Sequence, residues 1–176
     1  IFSICEIFDF ACDEASQLYN NPAADAHAAR LPNPDASAII ERMNNIKNLI
    51  LDMDGVLWRG NEPMPGLADF FDTLRQHGIG FVMATNNASK TPQQYVAKLA
   101  QFGVTVSEAQ IFTSAEATGD YLQHTYEPGV KAFVVGDVGL VTAVQSRHFQ
   151  LLSVDEVMGG ETAVFVVAGF NPNATY

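Results

Sequence analysis

The stretch LILDMDGVLW, Leu49 to Trp58, decides the fold. A run of aliphatic residues stops at two carboxylates, Asp52 and Asp54, and then Gly55. A short continuous apolar run of this kind, NLILD, predicts a strand buried on both faces of a parallel sheet. Two residues apart at a strand end, the carboxylates can project the same way. Like charges about 4 Å apart repel by roughly 4 kcal/mol at an effective dielectric near 20. A partly buried site tolerates this when a cation lies between them or when one carboxyl stays protonated. Both solutions are chemically useful. A hard cation such as Mg²⁺ takes oxygen ligands and suits phosphate substrates. A protonated carboxyl is a general acid, and an ionised one is the nucleophile of aspartyl-phosphate chemistry. Gly55 permits a tight turn that presents N–H groups to a phosphate. A bare DxD also occurs in solvated loops and in sugar-nucleotide transferases that bind a metal. An EF-hand does not fit, because Gly55 is the fourth loop position and not the sixth.

Working outward, the chain alternates. GLADFFDTLRQHG carries Leu67, Phe70, Phe71 and Leu74 at helical spacing and stops at Gly78. IGFVMATN predicts a second buried strand. Thr91 and Pro92 predict the N-cap and first residue of a helix through Phe102, ended by Gly103. IFTS predicts a third strand, and Ser114 is expected to cap a helix reaching about His124. EPG is a turn, KAFVVG a strand, GLVTAVQSRHF a helix and TAVFVVAGF a further strand. The β-α-β-α-β order predicts an α/β fold with a doubly wound parallel sheet, in which ligands bind outside the carboxyl ends of the strands. Asp52 and Thr85 both fall at such ends. Thr85, Asn86 and Asn87 suit a phosphate oxygen through a hydroxyl and backbone N–H groups, although Thr and Asn also simply end strands and cap turns.

Residues 1–44 differ from the rest. NNPAADAHAARLPNPDASA, with Pro32 and Pro34, predicts a linker or poorly ordered extension. The alternative is a docked helix using Ile1, Ile4, Phe8 and Cys12. The net charge of −11 argues against a nucleic-acid or anionic-membrane surface. Cys5 and Cys12 form no zinc motif, and a disulfide between them has no support, so the cytoplasm is the expected compartment. No apolar run reaches the roughly 18 residues of a membrane span. His77, His124 and His148 fall near helix ends, where a cation meets the helix dipole favourably. His27 lies in the extension. GDVGL, from Gly136, is a strand-to-helix turn and not GxGxxG. Asn87-Ala88-Ser89 and Asn173-Ala174-Thr175 match a glycosylation sequon that carries no meaning in the cytoplasm. Trp58 either lines a substrate entrance or packs.

DMDGVLWRG, PGLADFFDTLRQHG, ATNNASKT, IFTSAEATGDYL and KAFVVGD, in this order and spacing, resemble the haloacid dehalogenase superfamily of phosphohydrolases, in its NagD / p-nitrophenyl-phosphatase branch. The resemblance covers Ile46 to Tyr176. It implies a Rossmann-like core over residues 45–129 and the beginning of an inserted α/β cap over 130–176. It implies Asp52 as the nucleophile and Asp54 as the group that protonates the leaving alcohol and then activates water. Mg²⁺ would be held by the Asp52 carboxylate and the Asp54 main-chain carbonyl. Thr85 would bind the transferring phosphate, Asn86 would offer its main-chain N–H, and Asn87 would contact substrate. The implied partner is a small phosphorylated metabolite, with dimerisation through the cap left open. The family also uses a later Lys and a later acidic pair. Lys90 and Lys131 do not match that Lys, and no later Asp pair precedes Tyr176. The expectation is therefore a Mg²⁺-dependent phosphomonoester hydrolase in truncated form, weak or inactive alone. The competing expectation is a non-catalytic fragment or pseudophosphatase that binds phosphate or a partner.

Overall fold

The computed structural model describes residues 46–171. The expectations for residues 1–44, including the helix through Ile1, Ile4, Phe8 and Cys12, the Cys5–Cys12 pair and His27, lie outside the described residues, as does the sequon at Asn173.

Three strands form the first sheet: β1 (Asn48–Asp52), β4 (Gly80–Thr85) and β5 (Ile111–Thr113), in the order β1-β4-β5 and all parallel. Asp52 is paired with Ala84 and Thr85 with Thr113, so the carboxyl ends of the three strands align. A two-stranded antiparallel hairpin, β2 (Trp58–Arg59) with β3 (Glu62–Pro63), follows β1. Its short strands were not legible in the sequence.

Helix α1 (Leu67–Gln76) buries Leu67, Phe71 and Leu74, the apolar stripe its spacing predicts. It ends at Gly78, whose positive φ of 66° allows Gly78 N–H and Ile79 N–H to close back on Arg75 and Leu74 carbonyls. Helix α2 (Pro92–Gln101) starts as predicted. The Thr91 hydroxyl accepts from the Gln94 N–H and the Gln94 side chain accepts from the Thr91 N–H, a reciprocal capping box. Both connections run the same way along the sheet, and right-handed crossovers then place both helices on one face. Phe71 meets Phe81 edge-on at 5.0 Å. The opposite face is not covered among the described residues. Ile50 is 75% exposed, and Val82 and Phe112 are exposed beside it. This corrects the expectation of strands buried on both faces. Sidedness depends on what lies across the sheet, which an apolar run does not encode.

The second sheet, in the order β7-β6-β8, is also parallel: β6 (Lys131–Val135), β7 (Gln150–Leu151) and β8 (Phe165–Ala168). Helix α3 (Ser114–Thr125) packs on α4 (Val138–Gln145), and Ala115, Leu122, Ala132, Leu140, Val144, Phe149 and Phe165 share one buried cluster. The packing thus runs across residues 129 and 130. Arg147 ties α3 down, donating to Asp120 at 2.6 Å and Glu116 at 2.7 Å, and Gly119 on α3 leaves the room its guanidinium occupies.

Three local expectations change. Thr113, not Ser114, caps α3: its hydroxyl accepts from the Glu116 N–H, while Ser114 donates to the Asn86 carbonyl. The helix expected over GLVTAVQSRHF stops at Gln145, because His148 turns left-handed (φ 65°) and its carbonyl accepts from Gly129. The last strand is shorter than predicted, and α5 (Val154–Met158) was missed. That helix is one turn held by a Ser153/Glu156 capping box, with no apolar periodicity to announce it. His77 and His124 do end their helices, each ring Nδ1 lying within 2.9 Å of a carbonyl one turn back. No helix among the described residues is long and apolar enough to cross a membrane.

Candidate active site

The site forms where β1 and β4 end side by side. Asp52 is half-buried, and its Oδ1 accepts from the Met53 N–H at 2.8 Å. Burial pushes its carboxyl above the usual carboxylate value, the Met53 N–H opposes this, and the charge of Asp54 adds to it. The repulsion expected between the two carboxylates is therefore felt across the strand end.

The chain then closes a tight loop. Val56 and Leu57 N–H groups return to the Met53 carbonyl, and Gly55 N–H donates to the Trp58 carbonyl at 2.8 Å. Gly55 takes φ 86°, so the turn needs glycine as expected. Its N–H, however, is engaged inside the loop and does not face outward toward a phosphate as the sequence suggested. The loop brings Trp58 back beneath Asp54, and the indole Nε1–H donates to Asp54 Oδ1 at 2.7 Å. Trp58 is fully buried while Asp54 is exposed. Of the two expectations for Trp58, packing is the one realised, with a polar edge turned to the site.

At the end of β4, Thr85 is buried and its hydroxyl accepts from the Asn87 N–H at 3.1 Å. The Asn87 carboxamide oxygen accepts from both the N–H and the hydroxyl of Ser89. Asn86 holds α3 through its carbonyl. The loop after β4 is thus a fixed turn built from short polar side chains. It rests on α4: Gly139 N–H donates to the Ser89 carbonyl, and any Cβ at Gly139 would fall within 2.7 Å of Ala88 and Lys90 backbone atoms.

Two residues missed in the sequence complete the surroundings. Tyr95 is 1% exposed and stacks on Trp58 at 6.2 Å. Its hydroxyl makes no hydrogen bond of ordinary geometry among the described residues, and burial, then the charge of Asp54, push its pKa up to about 12 against the opposing effect of the nearby Thr85 hydroxyl. Lys98 places its ammonium 4.3 Å from the Trp58 ring centroid and donates to the Gly60 carbonyl at 2.7 Å. Its pKa is lowered, chiefly by burial, then by Lys90, with Asp54 opposing. The available signal was the position of Tyr95, Lys98 and Phe102 on one helical face directly after the cap.

A divalent cation fits the donor set in kind. Asp52 and Asp54 offer only oxygen, and Mg²⁺ is commonly held by one or two carboxylates with water and substrate phosphate supplying the rest. No group of three or more His, Cys, Asp or Glu converges among the described residues.

Residues 49–150 match the family model of the haloacid dehalogenase-like hydrolases. The chain is 31% identical to a 5'-nucleotidase of Bacillus subtilis over 134 residues, 76% of this chain and 49% of that one. It is 39% identical to the ribonucleotide monophosphatase NagD of Escherichia coli over 119 residues, 66% of this chain and 47% of that one. Among solved structures it superposes on a hypothetical protein of Pyrococcus horikoshii with a TM-score of 0.69 at 40% identity, covering 74% of this chain and 51% of the other. The chain spans about half the length of the curated relatives it matches. A match that begins at the first residues of the β1 run and continues through both strand ends and into the second sheet shows that the chain belongs to the haloacid dehalogenase-like hydrolases.

Proposed function

We propose that this chain carries the phosphoryl-accepting half of a phosphomonoester hydrolase. The observation that supports it most is the meeting of a half-buried carboxylate, Asp52, with a second carboxylate and the buried Thr85 at adjacent parallel strand ends. Asp52 attacks phosphorus, forming an acyl phosphate as the ester P–O bond breaks. Asp54, protonated at that moment, gives its proton to the departing alcohol oxygen. As a carboxylate it then takes a proton from the water that hydrolyses the acyl phosphate, returning both groups to their starting state. Thr85 and the fixed turn at Asn86–Asn87 orient the phosphoryl oxygens. Asp52 and the Asp54 main-chain carbonyl would hold Mg²⁺, which when bound offsets phosphate charge. The relatives are named for nucleotide, sugar and glycolate phosphates, so the substrate class is a small phosphorylated metabolite.

One observation favours a second reading, phosphate binding without turnover: no third acidic side chain joins Asp52 and Asp54 among the described residues. The two separate in one assay. On the first reading the wild-type chain with Mg²⁺ hydrolyses p-nitrophenyl phosphate, at the weak rate the sequence leads us to expect, and Asp52→Asn loses this while melting as cooperatively as wild type. Retained turnover in Asp52→Asn contradicts the nucleophile. Absent wild-type turnover, with a Mg²⁺- and phosphate-dependent rise in melting temperature, selects the second reading.

A further inference from the structure

A buried indole needs a hydrogen-bond acceptor, and most find one on the backbone. Trp58 does not. The loop Met53–Trp58 is closed by backbone bonds of its own, and the fully buried indole reaches past it to an exposed side chain, Asp54, at 2.7 Å. The ring is itself immobilised. Tyr95 stacks on it at 22° between planes, Phe102 abuts it at 6.0 Å, and the Lys98 ammonium lies over it. Lys98 also binds the Gly60 carbonyl and so fastens helix α2 to the hairpin that begins with Trp58. A carboxyl on an exposed turn would otherwise sample several rotamers, and each would have to be given up in the transition state.

We infer that Trp58 is the positioning residue for Asp54: its indole N–H ties one oxygen of that carboxyl to the buried aromatic stack, which leaves the other oxygen to exchange the proton with the leaving group. This rests on the hydrolase reading for the identity of the proton's partner, but the tie itself does not. The consequence is a dependence on leaving group. An alkoxide needs its proton as the P–O bond breaks, whereas p-nitrophenolate departs with little help. Lys98 and Tyr95 act one step further out, by holding the ring.

The test compares hydrolysis of β-glycerol phosphate and p-nitrophenyl phosphate, with Mg²⁺, by wild type and by Trp58→Phe. The expected loss in kcat/KM, which reports the step in which the leaving group departs and not the hydrolysis of the shared acyl phosphate, is about tenfold greater on the alkyl ester than on the nitrophenyl ester. Equal losses on both, or no loss on either, overturn the positioning role. Because Trp58 is fully buried, β-(3-benzothienyl)alanine in its place removes the N–H at nearly constant shape, and it must reproduce the same split. A second readout needs no turnover. Trp58 is the only tryptophan in the chain, so its indole ¹⁵N–¹H signal is unambiguous. It is expected to exchange slowly with solvent and to move on Asp54→Ala; a signal indifferent to Asp54→Ala overturns the tie. If neither ester is hydrolysed by wild type while that signal answers to Asp54, the hydrolase reading falls and the tie stands.

Discussion

The described residues form two three-stranded parallel sheets built by the same strand–helix–strand logic, and we place chemistry at the strand ends of only one of them. Each has an aspartate just where a strand gives way to the next segment, and each of these carboxylates accepts from the N–H of the residue that follows: Asp52 from Met53 at 2.8 Å, Asp137 from Val138 at 2.7 Å. The local bond is the same. Asp137 uses it to cap a helix. Asp52 instead opens a closed loop that sets a second carboxylate near it, and burial raises its pKa. The fold supplies a place for chemistry, and the residues at the strand end decide whether any occurs. Helix α4, which follows β6 of the second sheet, contributes differently, by propping the loop after β4 through Gly139.

The sharpest break in this comparison is expected from Asp52→Asn, with a loss in turnover on the order of 10³-fold or more, equivalent to about 4 kcal/mol of barrier. Asp137→Asn replaces one good cap with another and should leave turnover within a factor of about two. Steady-state rates on p-nitrophenyl phosphate separate the two. Phe71→Ala removes a fully buried ring beneath the first sheet and is expected to cost about 3–5 kcal/mol in urea or thermal unfolding. Gly139→Ala should cost a comparable amount, about 3 kcal/mol or more, because its Cβ would fall within 2.7 Å of Ala88 and Lys90 backbone atoms and force movement of a turn that hydrogen bonds hold fixed. It should also raise KM for phosphate esters, since that movement carries Asn87 with it. An unchanged KM would mean that helix α4 does not prop the site.

The smallest effect is electrostatic. The folded state holds the Asp52 proton more tightly than the unfolded chain does, so the stability it contributes is present at low pH. That stability is lost as pH rises from the ordinary 3.8 through the raised native value. In Mg²⁺-free buffer, Asp52→Asn should therefore melt higher than wild type near neutral pH. The difference should shrink as pH falls below 3.8, followed by calorimetry. A difference that grows on acidification would contradict the burial of Asp52.

The strands and helices that set this comparison were largely legible. NLILD, GFVMAT and the Thr91-Pro92 and Gly103 boundaries are local signals, because caps and apolar periods act within a turn or two of the chain. The pairing of strand ends followed from the alternation of strands and helices. What was not legible depends on distant neighbours. The bare face of Ile50, Val82 and Phe112 looks the same in sequence as a covered one. The engagement of Gly55 N–H by Trp58 is a closure detail of one loop. Tyr95 and Lys98 belong to the site only because α2 folds back over the hairpin. The short strand β7 and helix α5 carry too few residues to show a period.

The central claim is that Asp52 accepts the phosphoryl group. The most direct measurement is an acid quench during turnover of p-nitrophenyl phosphate with Mg²⁺, followed by peptide mass spectrometry. The account predicts one added phosphoryl group, labile to hydroxylamine, on the peptide containing Asp52 and absent in Asp52→Asn. Turnover with no phosphorylated peptide, or with the group on another residue, would contradict it.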